Sequence, residues 1–242
     1  MNTIKKIPVF LALLLLFNCD KIPLSNSEIA AGLKSALEVG ANYALKSLGS
    51  ENGFLLDQAV KIGLPEDAAK LLQQASTLPL LNVVAKNLEE RLILTLNRAA
   101  EASIEGVIPI VIDAITGITI QDAQSILFSS NDIAATEYLR VKTYDPLSDV
   151  CRSVIEEALS RKIVLNTSAQ DVWGELTGLY NQVANLLPSS SVKPIETNLS
   201  LYATQKTLDG VFLKIGNEEV KIRTDVSART NDLLRRVFGQ LD

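Results

Sequence analysis

Along almost the whole chain apolar residues recur three and four positions apart, the spacing of helices that bury one face. The fold is therefore expected to be all-α, with capping and breaking residues marking where each helix starts and stops. Ser25 and Glu28 have the spacing of a capping box, so a first helix starts near residue 26 and ends at Gly49. Inside it Gly32, Ala36, Gly40 and Ala44 recur at steps of four beside Ile29, Leu33, Leu37 and Leu45, which lets a neighbouring backbone approach closely. Such a row can serve a membrane or partner helix. The polar face of Glu28, Lys34, Glu38 and Lys46 makes a tightly packed core helix the better reading. Residues 49–64, with Gly49, Gly53 and Gly63, read as an extended strap over that helix, with a short strand at Val60 to Ile62.

Pro65, followed by Glu66 and Asp67, opens a short helix that ends before Pro79. A long helix from about Asn82 to Glu105 carries Val84, Leu88, Leu92, Leu96 and Ala99 on one stripe, and Pro109 opens another that closes at Gly117. Thr119 and Asp122 cap a short amphipathic segment, and Asn131 or Asp132 caps a helix through Lys142. Asp145-Pro146 is a further start signal, after which Leu147, Val150, Cys151, Val154 and Ala158 share a face. Ser168 and Asp171 cap a helix carrying Trp173 and Tyr180, and Pro188 to Ser191 with Pro194 form a linker. Helices from about Asn198 to Arg223, interrupted at Gly216, and from Asp225 to Phe238 complete the chain. About nine or ten helices without a fixed repeat imply an irregular bundle, a single domain spanning 25–242.

What precedes that domain has the layout of a secretory signal. Lys5 and Lys6 form a positive start, Pro8 to Phe17 an apolar run, and the run stops at Asn18-Cys19-Asp20. The run is too short to span a bilayer, which takes roughly 20 apolar residues. Leu16-Phe17-Asn18-Cys19 resembles a bacterial lipobox, which implies a lipid on Cys19, removal of the signal 1–18, and a short tether over 19–24. An uncleaved anchor, or an ordinary signal with a chance cysteine, is the alternative. Cleavage leaves 21 basic and 28 acidic residues, a net charge of −7, and the chain has no Lys/Arg block. Nucleic-acid binding is therefore not expected, and membrane attachment would come from lipid and not from a basic patch. With Cys19 acylated, Cys151 is the one remaining thiol, no intrachain disulfide forms, and the fold must stand on its core.

The chain contains no histidine. Zinc sites and serine or cysteine triads lose their usual ligand and base, no phosphate-binding loop appears, and neither cofactor nor metal is implied. Carboxylates, lysine, tyrosine and arginine remain for any chemistry.

Several separated stretches carry a resemblance. They are Ile29 to Lys34, Asn97 to Ala102, Ile118 to Ala123, Ala134 to Leu139, Leu208 to Phe212 continuing to Glu218-Glu219 and Ile222-Arg223, and Ala228 to Thr230 through Leu233-Leu234. In this order they resemble a family of bacterial exported proteins known as domain of unknown function four-one-nine-seven. The resemblance implies a helical, exported, often lipid-anchored protein and no particular activity.

Among the polar positions of these stretches, Arg98 and Glu101 stand at i, i+3 on one helix face next to Asn97. Alanines surround them, so they are expected to be partly buried, with Asp122, Asp209, Arg223 or Arg229 closing a network. Buried charge demands a partner, so a polar clasp joining helices is the favoured reading. A pocket in which Arg98 binds an anion while Glu101 and Asp122 act as acid and base, as in a carboxylate-dependent hydrolase, is the alternative. The corresponding functions are a non-enzymatic envelope lipoprotein binding a partner protein or an apolar ligand between its helices, and an enzyme.

Overall fold

A computed structural model describes residues 24–76, 82–164, 167–186, 194–195 and 197–242. The expected signal over 1–18, Cys19, the segment before Pro79 and the Pro188–Ser191 linker lie outside these residues. Eight α-helices are described: α1 (Asn26–Gly49), α2 (Glu66–Ser76), α3 (Asn82–Thr116), α4 (Ile120–Leu127), α5 (Ala134–Ser160), α6 (Ala169–Leu186), α7 (Leu199–Thr224) and α8 (Asp232–Phe238). A two-stranded antiparallel hairpin, β1 (Lys162–Val164) with β2 (Thr167–Ser168), joins α5 to α6, and a 3-10 turn (Val226–Ala228) follows α7. The hairpin was not foreseen.

The four long helices α1, α3, α5 and α7 form a square, each packing on two of the others. Neighbours run in opposite directions. Lys34 and Gly49 of α1 meet Thr116 and Ile104 of α3, and residues 135, 140 and 156 of α5 meet 219, 209 and 200 of α7. Leu33, Leu96, Val107, Leu147, Cys151, Val211 and Ile215 are among the residues that fill the interior. The four short helices decorate this bundle. α4 and α8 pack on α1, α2 on α3, and α6 on α5.

The first helix begins as its sequence implies. The Ser25 hydroxyl accepts from the Glu28 amide, the Glu28 carboxylate accepts from the Ser25 amide, and Ser50 follows Gly49 as C-cap. Its small-residue row is buried against α7 and α8: a Cβ on Gly32 would stand 2.4 Å from Val237 Cγ2, and one on Gly40 would stand 3.2 Å from Glu218 Cβ.

Five expectations need correction, the first being the cap of α5, which is Ile133 and neither Asn131 nor Asp132. Pro109 and Pro146 open no helices; they lie inside α3 and α5, and this merges the expected pieces into fewer, longer helices. Each proline and the residue four before it, Glu105 or Lys142, are exposed, so water takes the place of the missing amide while Val107, Val111, Thr143 and Leu147 hold both halves to the core. Gly216 does not interrupt α7. A Cβ there would stand 3.3 Å from Ile133 Cγ2, so the glycine admits the start of α5. The final helix is not continuous from Asp225: residues 229–231 break it, because Arg229 turns inward. Val60 to Ile62 form no strand.

Candidate functional site

The strap between α1 and α2 lacks a helix or sheet to satisfy its main chain. It is held by apolar anchors, with Phe54, Val60 and Ile62 buried, and by side chains of α3. Asn97, wholly buried, treats Ile62 as a neighbouring strand would: Oδ1 accepts from the Ile62 amide at 2.9 Å, and Nδ2 donates to the Ile62 carbonyl at 2.8 Å. One turn further on, Glu101 Oε1 accepts from the amides of Phe54 at 3.1 Å and Leu55 at 3.3 Å. Its Oε2 receives Arg98 Nη1 at 2.6 Å. Arg98 Nη2 then reaches out of the core to Asn52 Oδ1 at 2.9 Å and Glu51 Oε1 at 3.2 Å. Asn52 has φ 68°, the left-handed region that asparagine tolerates, and that turn presents its side chain to Arg98. From the other side α7 contributes a Lys214–Asp57 ion pair and the Tyr202 hydroxyl, which donates to the Gly63 carbonyl at 3.1 Å.

The remaining predicted residues lie at other junctions. Arg223 is buried with Glu219, one turn before it on α7, its Nε donating to Glu219 Oε1 at 3.0 Å. Arg223 Nη1 and Nη2 donate to the carbonyls of Leu127 and Ile126 at 3.1 and 2.9 Å, closing the C-terminal end of α4. Glu219 accepts from the amides of Ala135 and Thr136 at 2.9 and 2.8 Å and from the Thr136 hydroxyl, closing the N-terminal end of α5. Each charge thus faces the helix end whose dipole favours it. Arg229, 1% exposed, donates to the carbonyls of Ile222 and Arg223 at 3.1 and 2.9 Å and pairs with both carboxylate oxygens of Asp242.

Asp122 and Asp209 lie away from the core. Asp122 closes the capping box of α4 with Thr119, whose hydroxyl bond holds its carboxyl below the usual range, and accepts from the Tyr138 hydroxyl at 3.3 Å. Asp209 meets Arg140 at 3.4 Å on the surface. Glu101 and Asp122 share no hydrogen-bond partner, so the structure brings together Asn97, Arg98 and Glu101 and separates them from the rest.

Cys151 is wholly buried on α5, and burial pushes its thiol up to about 11, against a small opposing pull from the Ser103 hydroxyl. A crevice lined by Leu33, Leu37, Ile215, Glu219, Ile222 and Phe238 has room for about one water molecule, well short of a ligand-sized cavity. Among the described residues no group of acidic or cysteine side chains has metal-binding geometry. No single described helix is long and apolar enough to cross a membrane; α3 from Ala85 and α4 pass that test only as a pair bent by 98°.

Sequence reasoning missed Glu219 as a polar centre, although its spacing to Arg223 within an apolar helix was a usable signal. Glu51 and Asn52 carried no signal, because only the folded strap brings them to Arg98. A family model described as Protein of unknown function (DUF4197) matches residues 23–239. No curated protein and no solved structure matches the chain.

Proposed function

The chain belongs to the DUF4197 family, and from that footing we propose that it is a lipid-anchored protein of the bacterial cell envelope whose helical body is a non-enzymatic binding or structural module. The observation that carries the second half of this reading is the commitment of the Asn97–Arg98–Glu101 group to the strap. The carboxylate already receives two amides and a guanidinium, and the Asn97 amide receives and donates to Ile62. A general acid or base must be open to its substrate, whereas Glu101 is 6% exposed and its two oxygens are engaged by the strap amides and by Arg98. The first half rests on the order of charge, apolar run and cysteine at Lys5 to Cys19.

Two measurements test the halves separately. The exported protein partitions into detergent, and Cys19→Ser releases it or leaves it as precursor; a Cys19→Ser protein that stays membrane-bound with its signal removed defeats the anchor. Arg98→Met lowers the melting temperature, and adding Glu101→Gln recovers part of the loss. An unchanged or higher melting temperature in Arg98→Met defeats the clasp and restores the pocket.

A further inference from the structure

The end of the bundle from which the tether departs carries exposed apolar side chains that bear on how a tethered body would sit. The start of α1, from which the tether departs, lies beside α4, α8 and the C-terminus of α3: Asn26 Oδ1 accepts from Gln124 Nε2 at 2.7 Å, Glu28 pairs with Arg236 at 3.0 Å, and Lys34 donates to the Thr116 carbonyl at 2.7 Å. Ile120 and Gln124 of α4 and Phe128, its C-cap, succeed one another at steps of four along one side. Gln124 holds the start of α1, and the residues on either side of it in that row are exposed, Ile120 at 49% and Phe128 at 57%. Ile133 and Val226, where α5 begins and α7 ends, and Leu241, just past α8, add exposed apolar side chains at the same end.

Charge is sparse on this segment. Asp122 is the only charged residue between Ile118 and Asn131, and it is tied to Thr119 and Tyr138. In a body of net charge −7 after cleavage, a segment with one carboxylate meets anionic headgroups with less repulsion than the neighbouring stretches, where Asp132, Asp225 and Asp242 adjoin Ile133, Val226 and Leu241.

We propose that this end, led by Ile120 of α4 and Phe128 at its C-cap, rests against the bilayer surface, its apolar side chains seated at the boundary between headgroups and acyl chains. The proposal rests on the lipid-anchor reading given above. Four residues separate Cys19 from Leu24, so the body starts within about 18 Å of the lipidated residue even when the tether is fully extended. A second interaction made under such confinement is effectively intramolecular, so a small apolar face that could not bind a membrane alone can still orient the protein. The opposite end, where α3 begins, then points away. At 1.5 Å per residue the 35 residues of α3 place it about 50 Å from the bilayer.

Full-length lipidated protein, reconstituted into vesicles of phosphatidylethanolamine and phosphatidylglycerol, provides the test. In a Cys151→Ala background a fluorophore is attached at Ser125→Cys, which leaves Ile120 and Phe128 intact, or at Gln73→Cys on the exposed side of α2, and quenching by lipids carrying a nitroxide near the headgroup is read. The expected result is quenching at Ser125 several-fold above that at Gln73, lost in Ile120→Glu with Phe128→Glu while flotation with the vesicles is unchanged. Equal quenching at the two positions in floating protein overturns the proposal and leaves the anchor standing. Quenching at Ser125 that survives the double substitution also overturns it, since the tether alone then sets the position. A Ser125 label shielded only in envelope fragments that contain other proteins assigns the face to a protein partner instead. Full-length protein that fails to float removes the anchor reading, and the proposal with it.

Discussion

Asn97 is the side chain whose loss the strap can least replace. Asn97→Ala leaves the buried amide and carbonyl of Ile62 without partners, and at about 1–3 kcal/mol for each unsatisfied group the expected cost is about 2–6 kcal/mol in urea denaturation. Arg98→Met is milder. Its side chain is 35% exposed and Glu101 keeps both amides, so about 1 kcal/mol is expected after allowance for solvent screening. Cys151 supplies a pH dependence. Its thiol titrates near 9.0 when unfolded and about 11 when folded, so the folded state holds its proton longer. Stability is full below pH 9 and falls as pH rises toward 11; Cys151→Ala flattens that part of the profile, and native protein resists thiol reagents until denatured. The sequence disclosed the burial of Cys151 through the stripe it shares with Leu147. It also disclosed that Asn97, Arg98 and Glu101 act together, but not what they hold, because a strap without periodicity does not announce which helix it crosses.

At the level of helices, local signals succeeded where the partner was local. The capping boxes at Ser25 and Thr119 and the Ser168–Asp171 cap lie within three residues of the amides they serve, and all were legible. The start of α5 was misplaced because its amides are closed by Glu219, 84 residues away from Ala135, while Ile133 at the cap position offers no side-chain bond. The two prolines misled for the opposite reason: a strong local stop was overridden by packing on both sides of it. Pro109→Ala and Pro146→Ala are each expected to stabilise by about 1–2 kcal/mol, the helical gain exceeding the added freedom of the unfolded chain, as read from melting curves. Gly32→Ala goes the other way. The new methyl meets Val237 at 2.4 Å, and displacing α8 should cost about 1–3 kcal/mol, with Val237→Ala recovering part of it in the double variant.

Across the whole molecule, an all-α bundle was legible because every long segment has an apolar stripe, whereas the square of four antiparallel helices was not, since which stripe faces which is a property of the assembled core. Within that square α7 holds a special place. Its Glu219 closes the first turn of α5, its Arg223 closes the last turn of α4, and its own last turn is closed by Arg229. The amide protons of Ala135 and Thr136 therefore cannot be released to solvent by fraying of α5 alone, because their acceptor belongs to another helix and is itself locked to Arg223. At an ordinary helix start the amides of the fraying first turn exchange readily; here they should exchange only when the molecule opens as a unit. In deuterium oxide these two protons would rank with the slowest of the core, and their exchange would follow denaturant concentration with the slope of global unfolding.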